Sequence, residues 1–110
     1  MKEARVYLLH IRDAISKIEE YTKDGKDGFL NDQKTQDAVI RNLEIIGEAV
    51  KNIPPAFKNI YPDPPWREIA GMRDVLIHEY FGVDLKIVWG VVENNIPCLK
   101  NEIEQLLSKK

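Results

Sequence analysis

The chain has 110 residues, 44% of them hydrophobic and 31% charged, which suits one compact core over residues 1–110 and leaves no room for a second. Sixteen Lys and Arg against eighteen Asp and Glu give a formal charge of -2, so binding of nucleic acid through overall charge is excluded and any such binding must be local. Cys98 is the only cysteine, which excludes an intrachain disulfide scaffold and fits a reducing cytoplasm; the charged start Met1-Lys2-Glu3-Ala4-Arg5 is unlike a signal peptide, and no apolar run is long enough for a bilayer.

Ala4, Leu8, Ile11, Ile15 and Ile18 recur at spacings of four and three, the stripe of a helix that packs on other helices. A stop is predicted over Thr22–Gly28, where Gly25 and Gly28 supply positive-φ positions and the aspartates favour turns. Asn31 or Asp32 is placed to cap a second helix, whose apolar face is Val39, Leu43, Ile46, Val50 and Ile53. Pro54-Pro55 ends it, because a proline disfavours helical geometry in the residue before it and lacks an amide donor. Residues 56–65, with Pro62, Pro64 and Pro65, read as a connector. From Asp63 or a following proline a third helix starts, with Trp66, Ile69, Ala70, Val75, Leu76 and Ile77 as its apolar content and Gly71 as a weak point. Gly82 suits a C-terminal cap and Asp84 the N-cap of a last helix, in which Leu85, Val88, Val92, Ile96, Leu99, Ile103 and Leu106 keep register and Pro97 is expected to cause a kink. Four main helices without a strand pattern predict an all-α, antiparallel up-and-down four-helix bundle with a kinked last helix.

Few residues offer chemistry. His10 and His78 fit no zinc spacing, Asp24–Gly28 lacks the ligand pattern of a calcium loop, and Gly25-Lys26 lacks the glycines of a phosphate loop, so no metal or cofactor is expected. Cys98 reads as a small hydrophobe of the last helix. Trp66 and Trp89 read as core or interface anchors, and Lys51, Lys58 and Arg67, which flank the connector, as soluble surface more than as phosphate contacts.

The informative stretch is Gly71–Tyr80. At about 100° per residue, Asp74 lies one turn before His78, so its carboxylate can orient the imidazole and favour its protonated form. Arg73 and Tyr80, seven residues apart, share a face; Arg73 and His78 differ by about 140°, yet a long guanidinium arm can meet an imidazole at one phosphate. Two copies across a twofold axis would offer two guanidiniums and two imidazoles, a set able to cleave a phosphodiester. Taken alone, a histidine near a helix end reads first as a cap or a satisfied polar group.

The stretch resembles the Arg-x4-His signature of HEPN domains, and its context resembles the HepT family of toxin ribonucleases. Arg41–Ala49 in the second helix, Pro65–Arg73 leading in and Tyr80–Asp84 leading out carry the likeness, which covers nearly the whole chain. The resemblance implies a HEPN-like bundle that homodimerises, with a metal-independent endoribonuclease site in the dimer cleft and RNA as substrate. It implies that Arg73 stabilises charge on the phosphorus centre, and that His78 serves as general base or acid. Asp74 stands where the family often has asparagine, and would orient rather than react. Glu48 is a supporting candidate, able to reach the Arg73 region or to remain solvated. Tyr80 matches the last position of the extended Arg-x4-His-x-Tyr form, in which a minimal nucleotidyltransferase antitoxin adenylylates the tyrosine. The alternative is a HEPN module that binds a nucleotide or a protein without catalysis.

Overall fold

The structure is a computed structural model that describes residues 2–78 and 84–109, with the backbone alone for Lys2, Ile77 and His78. The first apolar stripe folds as α1 (Lys2–Tyr21), and Ala4, Leu8, Ile11, Ile15 and Ile18 are all buried along it. Thr22 closes the helix by donating its backbone N–H and its hydroxyl to the Ile18 carbonyl, and Gly25, at φ +85°, turns the chain.

The predicted turn is only partly a turn. Residues Gly25–Leu30 form a short helix, α2, that buries Phe29 against Trp89 with ring centroids 5.6 Å apart. Gly28 is therefore helical, not left-handed; a β-carbon there would come within 2.9 Å of Asp24 Cβ, so close approach and not φ explains that glycine.

Asp32 is the residue that caps α3 (Gln33–Asn52): Lys34 N–H donates to Oδ1 at 3.2 Å and the Thr35 hydroxyl to Oδ2 at 2.8 Å. Asn31 instead donates its amide to the Asp27 carbonyl and finishes α2. Val39, Leu43, Ile46, Val50 and Ile53 are buried as expected, and Ile53 is extended ahead of Pro54, which is what a following proline demands. The connector contains a helix that the sequence reading missed. In α4 (Pro55–Ile60) Pro55 occupies the first turn, where a missing amide costs nothing, and Phe57 is buried.

Helix α5 (Trp66–His78) runs through Gly71 without a break, and the Trp66 indole donates to the Tyr61 carbonyl at 2.9 Å, pinning the helix start to the connector. Val75, counted above with the apolar content, is exposed. Beyond residues 79–83, Asp84 caps α6 (Leu85–Gly90) by accepting from Lys86 N–H at 2.9 Å. A π-helical turn over Val91–Asn95 leads into α7 (Ile96–Ser108), with Pro97 in its first turn. The expected irregularity thus takes the form of a wide turn ahead of the proline, whose missing N–H removes a rung there. Val88, Trp89, Val92, Ile96, Leu99 and Ile103 line the buried side, and Leu107, not Leu106, completes it.

The molecule is all-α among its described residues. Helix α3 is central: it packs on α1 on one side and on α5 on the other, while α1 also meets α7, and α2 bridges α3 and α6. No described helix is long and apolar enough to cross a membrane.

Candidate functional site

Where α3 meets α5, a glycine faces an arginine. A β-carbon at Gly47 would overlap that of Arg73, approach its Cγ to 2.9 Å and reach 3.2 Å from its Cα, so the absence of a side chain on α3 creates the groove in which the arginine stem lies. Glu48, the next residue of α3, then meets the guanidinium, with Arg73 Nη2 to Glu48 Oε2 at 2.9 Å. Arg73 Nη1 lies 3.0 Å from Asp74 Oδ1, and that same oxygen accepts from Lys51 Nζ at 2.6 Å. Four side chains from two helices thus alternate in sign: Glu48, Arg73, Asp74, Lys51.

Only 26% of the Arg73 side chain is exposed, and its buried Nε makes no hydrogen bond among the described residues. The planar fork is thereby fixed at both terminal nitrogens by carboxylates while its long stem is packed. Arg73 opens on a cleft of about 260 Å³ between α1, α3 and α5, whose walls include Tyr7, His10, Arg41 and Asn52. Tyr7 and His10 stand edge-on, ring centroids 6.1 Å apart.

Hydrogen bonds from Lys51, and next from Arg73, hold the Asp74 carboxyl below its ordinary value of 3.8. The sign of the effect on stability follows. A folded-state value below the unfolded one favours the fold at every pH above the ordinary value, and that contribution disappears as pH falls through the lowered value. Asp74→Asn is expected to be somewhat less stable than the wild type at neutrality, where the wild type has the whole contribution, and to converge with it below about pH 4, so that its acid-unfolding curve is flatter, as read by circular dichroism along an acid titration.

The structure therefore gathers Arg73, Asp74 and Glu48 in one network. His78 ends α5 one turn beyond Asp74, but its side chain lies outside the described residues, as does all of Tyr80. Sequence reasoning missed two members. Gly47 is the single glycine of α3, and a glycine inside a long helix calls for a packing reason, which was the available signal. Lys51 was assigned to soluble surface, although it stands three residues after Glu48 on the same helical face. Cys98 requires a correction: it is exposed and not a buried hydrophobe, although Leu99 beside it is buried.

The family described as "Ribonuclease HepT-like" matches residues 11–106. A protein of Thermococcus cleftensis named "Probable ribonuclease HepT" is 56% identical over 101 residues, 91% of this chain and 92% of that protein. A Caldanaerobacter subterraneus protein named as a putative RNase is 44% identical over 111 residues, covering 100% of this chain and 99% of the relative. A Methanocaldococcus jannaschii protein named for gamma-glutamylcyclotransferase and a putative RNase is 51% identical over 109 residues, 98% of this chain; the chain spans about half, 49%, of that relative's length. No solved structure matches the chain.

Proposed function

The chain belongs to the HepT-like ribonuclease family, and from that premise we propose that it is an endoribonuclease, the toxin of a toxin–antitoxin pair, acting in the cytoplasm as a homodimer. The observation that carries the reading is the clamped guanidinium of Arg73, one that α3 shapes and two carboxylates orient at the edge of a cleft, five residues before His78.

Arg73 holds the non-bridging phosphate oxygens, where charge grows as the phosphorus becomes five-coordinate. His78 of one copy takes the proton of the ribose 2'-hydroxyl, the O2'–P bond forms, and the P–O5' bond breaks. The equivalent imidazole of the second copy gives the departing 5'-oxygen its proton, leaving a 2',3'-cyclic phosphate and a 5'-hydroxyl. No metal is required by this scheme. Asp74 and Glu48 are positioning residues: they fix the guanidinium and touch no substrate. The negative charge of Asp74, unwelcome beside a phosphate, is shared between Lys51 and Arg73.

Neutralisation runs through Tyr80. A minimal nucleotidyltransferase antitoxin transfers AMP from ATP to the phenol oxygen with release of pyrophosphate, placing bulk and negative charge where RNA would lie. Support for this comes from the match of Arg73, His78 and Tyr80 to the Arg-x4-His-x-Tyr form.

Purified chain incubated with RNA tests the activity. Cleavage with 2',3'-cyclic ends is expected from the wild type and a loss of about 10²–10⁴-fold from His78→Gln, the range for a removed general acid or base. Equal cleavage by both removes the enzymatic reading. Binding without turnover, unchanged in His78→Gln, assigns the chain instead to the non-catalytic modules that hold a nucleotide or a protein. After co-expression with the antitoxin, an unmodified Tyr80 in a neutralised complex refutes adenylylation.

A further inference from the structure

An acidic chain that acts on RNA has to gather its cations locally, and the connector does so. Lys51 in the last turn of α3, Lys58 in α4 and Arg67 in the first turn of α5 line a single open depression of about 580 Å³. Glu68 is the one carboxylate among its described lining residues. The sequence scatters these three cations over seventeen positions with five prolines between them, and the fold brings them together.

Two properties suit the depression to a polyanion. Its walls are stiff: Pro62, Pro64 and Pro65 fix their φ angles, and the Trp66 indole is bonded to the Tyr61 carbonyl. Its cations are also available. Lys58 and Arg67 make no ion pair among the described residues, and partial burial of Lys58 pushes its ammonium below the ordinary lysine value, so a phosphate would relieve a desolvated charge. The depression is joined to the site already described, because Lys51 lies in its wall and bonds Asp74, the neighbour of Arg73.

We propose that this depression is a phosphate track for the single-stranded RNA that flanks the cleaved bond, with Lys58 and Arg67 as its phosphate ligands. The inference rests on the ribonuclease reading above. The track contacts backbone and not bases, so it adds affinity without sequence preference. Lys51 joins track and site: the cation at the inner end of the track also orients the carboxylate that holds Arg73.

The test uses the whole chain and a short fluorescein-labelled oligouridylate, with anisotropy measured over a salt series and cleavage kinetics in parallel. The double variant Lys58→Gln/Arg67→Gln is expected to bind about tenfold more weakly at low salt. Its slope of log K against log salt should be smaller by about 1.4, at about 0.7 per lost contact to a single strand. On an RNA extending past the cleaved bond KM rises and kcat is retained, whereas a dinucleotide is cleaved as by the wild type. Arg12→Gln, which removes a cation from the α1 face beside α7, leaves slope and KM unchanged. An unaltered slope and KM in the double variant overturn the track while a cleaving wild type upholds the ribonuclease. A wild type that neither binds nor cuts RNA overturns both; one that binds without cutting overturns the ribonuclease, and it upholds the track as an RNA-binding surface if the double variant has the smaller slope and overturns it if the slope is unaltered.

Discussion

Replacing Arg73 with alanine is expected to lower RNA cleavage by about 10²–10³-fold, the usual consequence of removing one preorganised donor from a developing oxyanion. Stability should change far less. The ion pairs that Arg73 makes involve side chains that are 54% and 43% exposed on the carboxylate side, and pairs of that kind contribute on the order of 1 kcal/mol or less. Arg73→Lys separates charge from geometry. An ammonium keeps the positive charge but cannot meet Glu48 and Asp74 through two nitrogens of one plane, so most of the activity should still be lost. Cleavage rates and melting temperatures measured on the same preparations check both statements, and full activity in the lysine variant would show that charge alone suffices.

Gly47→Ala is expected to be the most damaging methyl group that can be added to α3. In a helix interior, alanine in place of glycine ordinarily stabilises by about 1 kcal/mol. Here the added carbon overlaps Arg73 Cβ, and relief requires α3 and α5 to separate or the arginine stem to turn away. Overpacking of that kind costs about 1–3 kcal/mol, enough to reverse the sign. The melting temperature should therefore fall, at about 4–8 °C per kcal/mol of net loss, and cleavage should fall with it because the guanidinium leaves its carboxylates. Gly71→Ala provides the contrast. Nothing lies within 4 Å of a β-carbon there, so that variant should melt higher than the wild type. A Gly47→Ala protein as stable and active as the parent would mean that the two helices tolerate a wider spacing.

Helix content and the core were legible because burial imposes a period. The stripes of α1 and α3 needed only the apolar spacing, and every residue assigned to them is buried. Short helices were not legible: α2 and α4 have six residues each, fewer than two turns, and their composition is that of turns, so glycine and proline masked them. Val75 was misread because an apolar side chain on a helix says nothing by itself about which way that helix faces. Within the site, Arg73 and its neighbours were legible through the motif, whereas the roles of Gly47 and Lys51 depend on where a second helix runs, which no local spacing encodes. The same is true of the depression that Lys51 shares with Lys58 and Arg67.

The wide turn at Val91–Asn95 lets one rod serve two masters. Helix α6 meets α2, where Trp89 packs on Phe29, and α7 meets α1; the π turn between them holds more residues than an α turn, which shifts the face that the following residues present. Like a coupling between two shafts, it lets either half be rebuilt without twisting the other out of alignment.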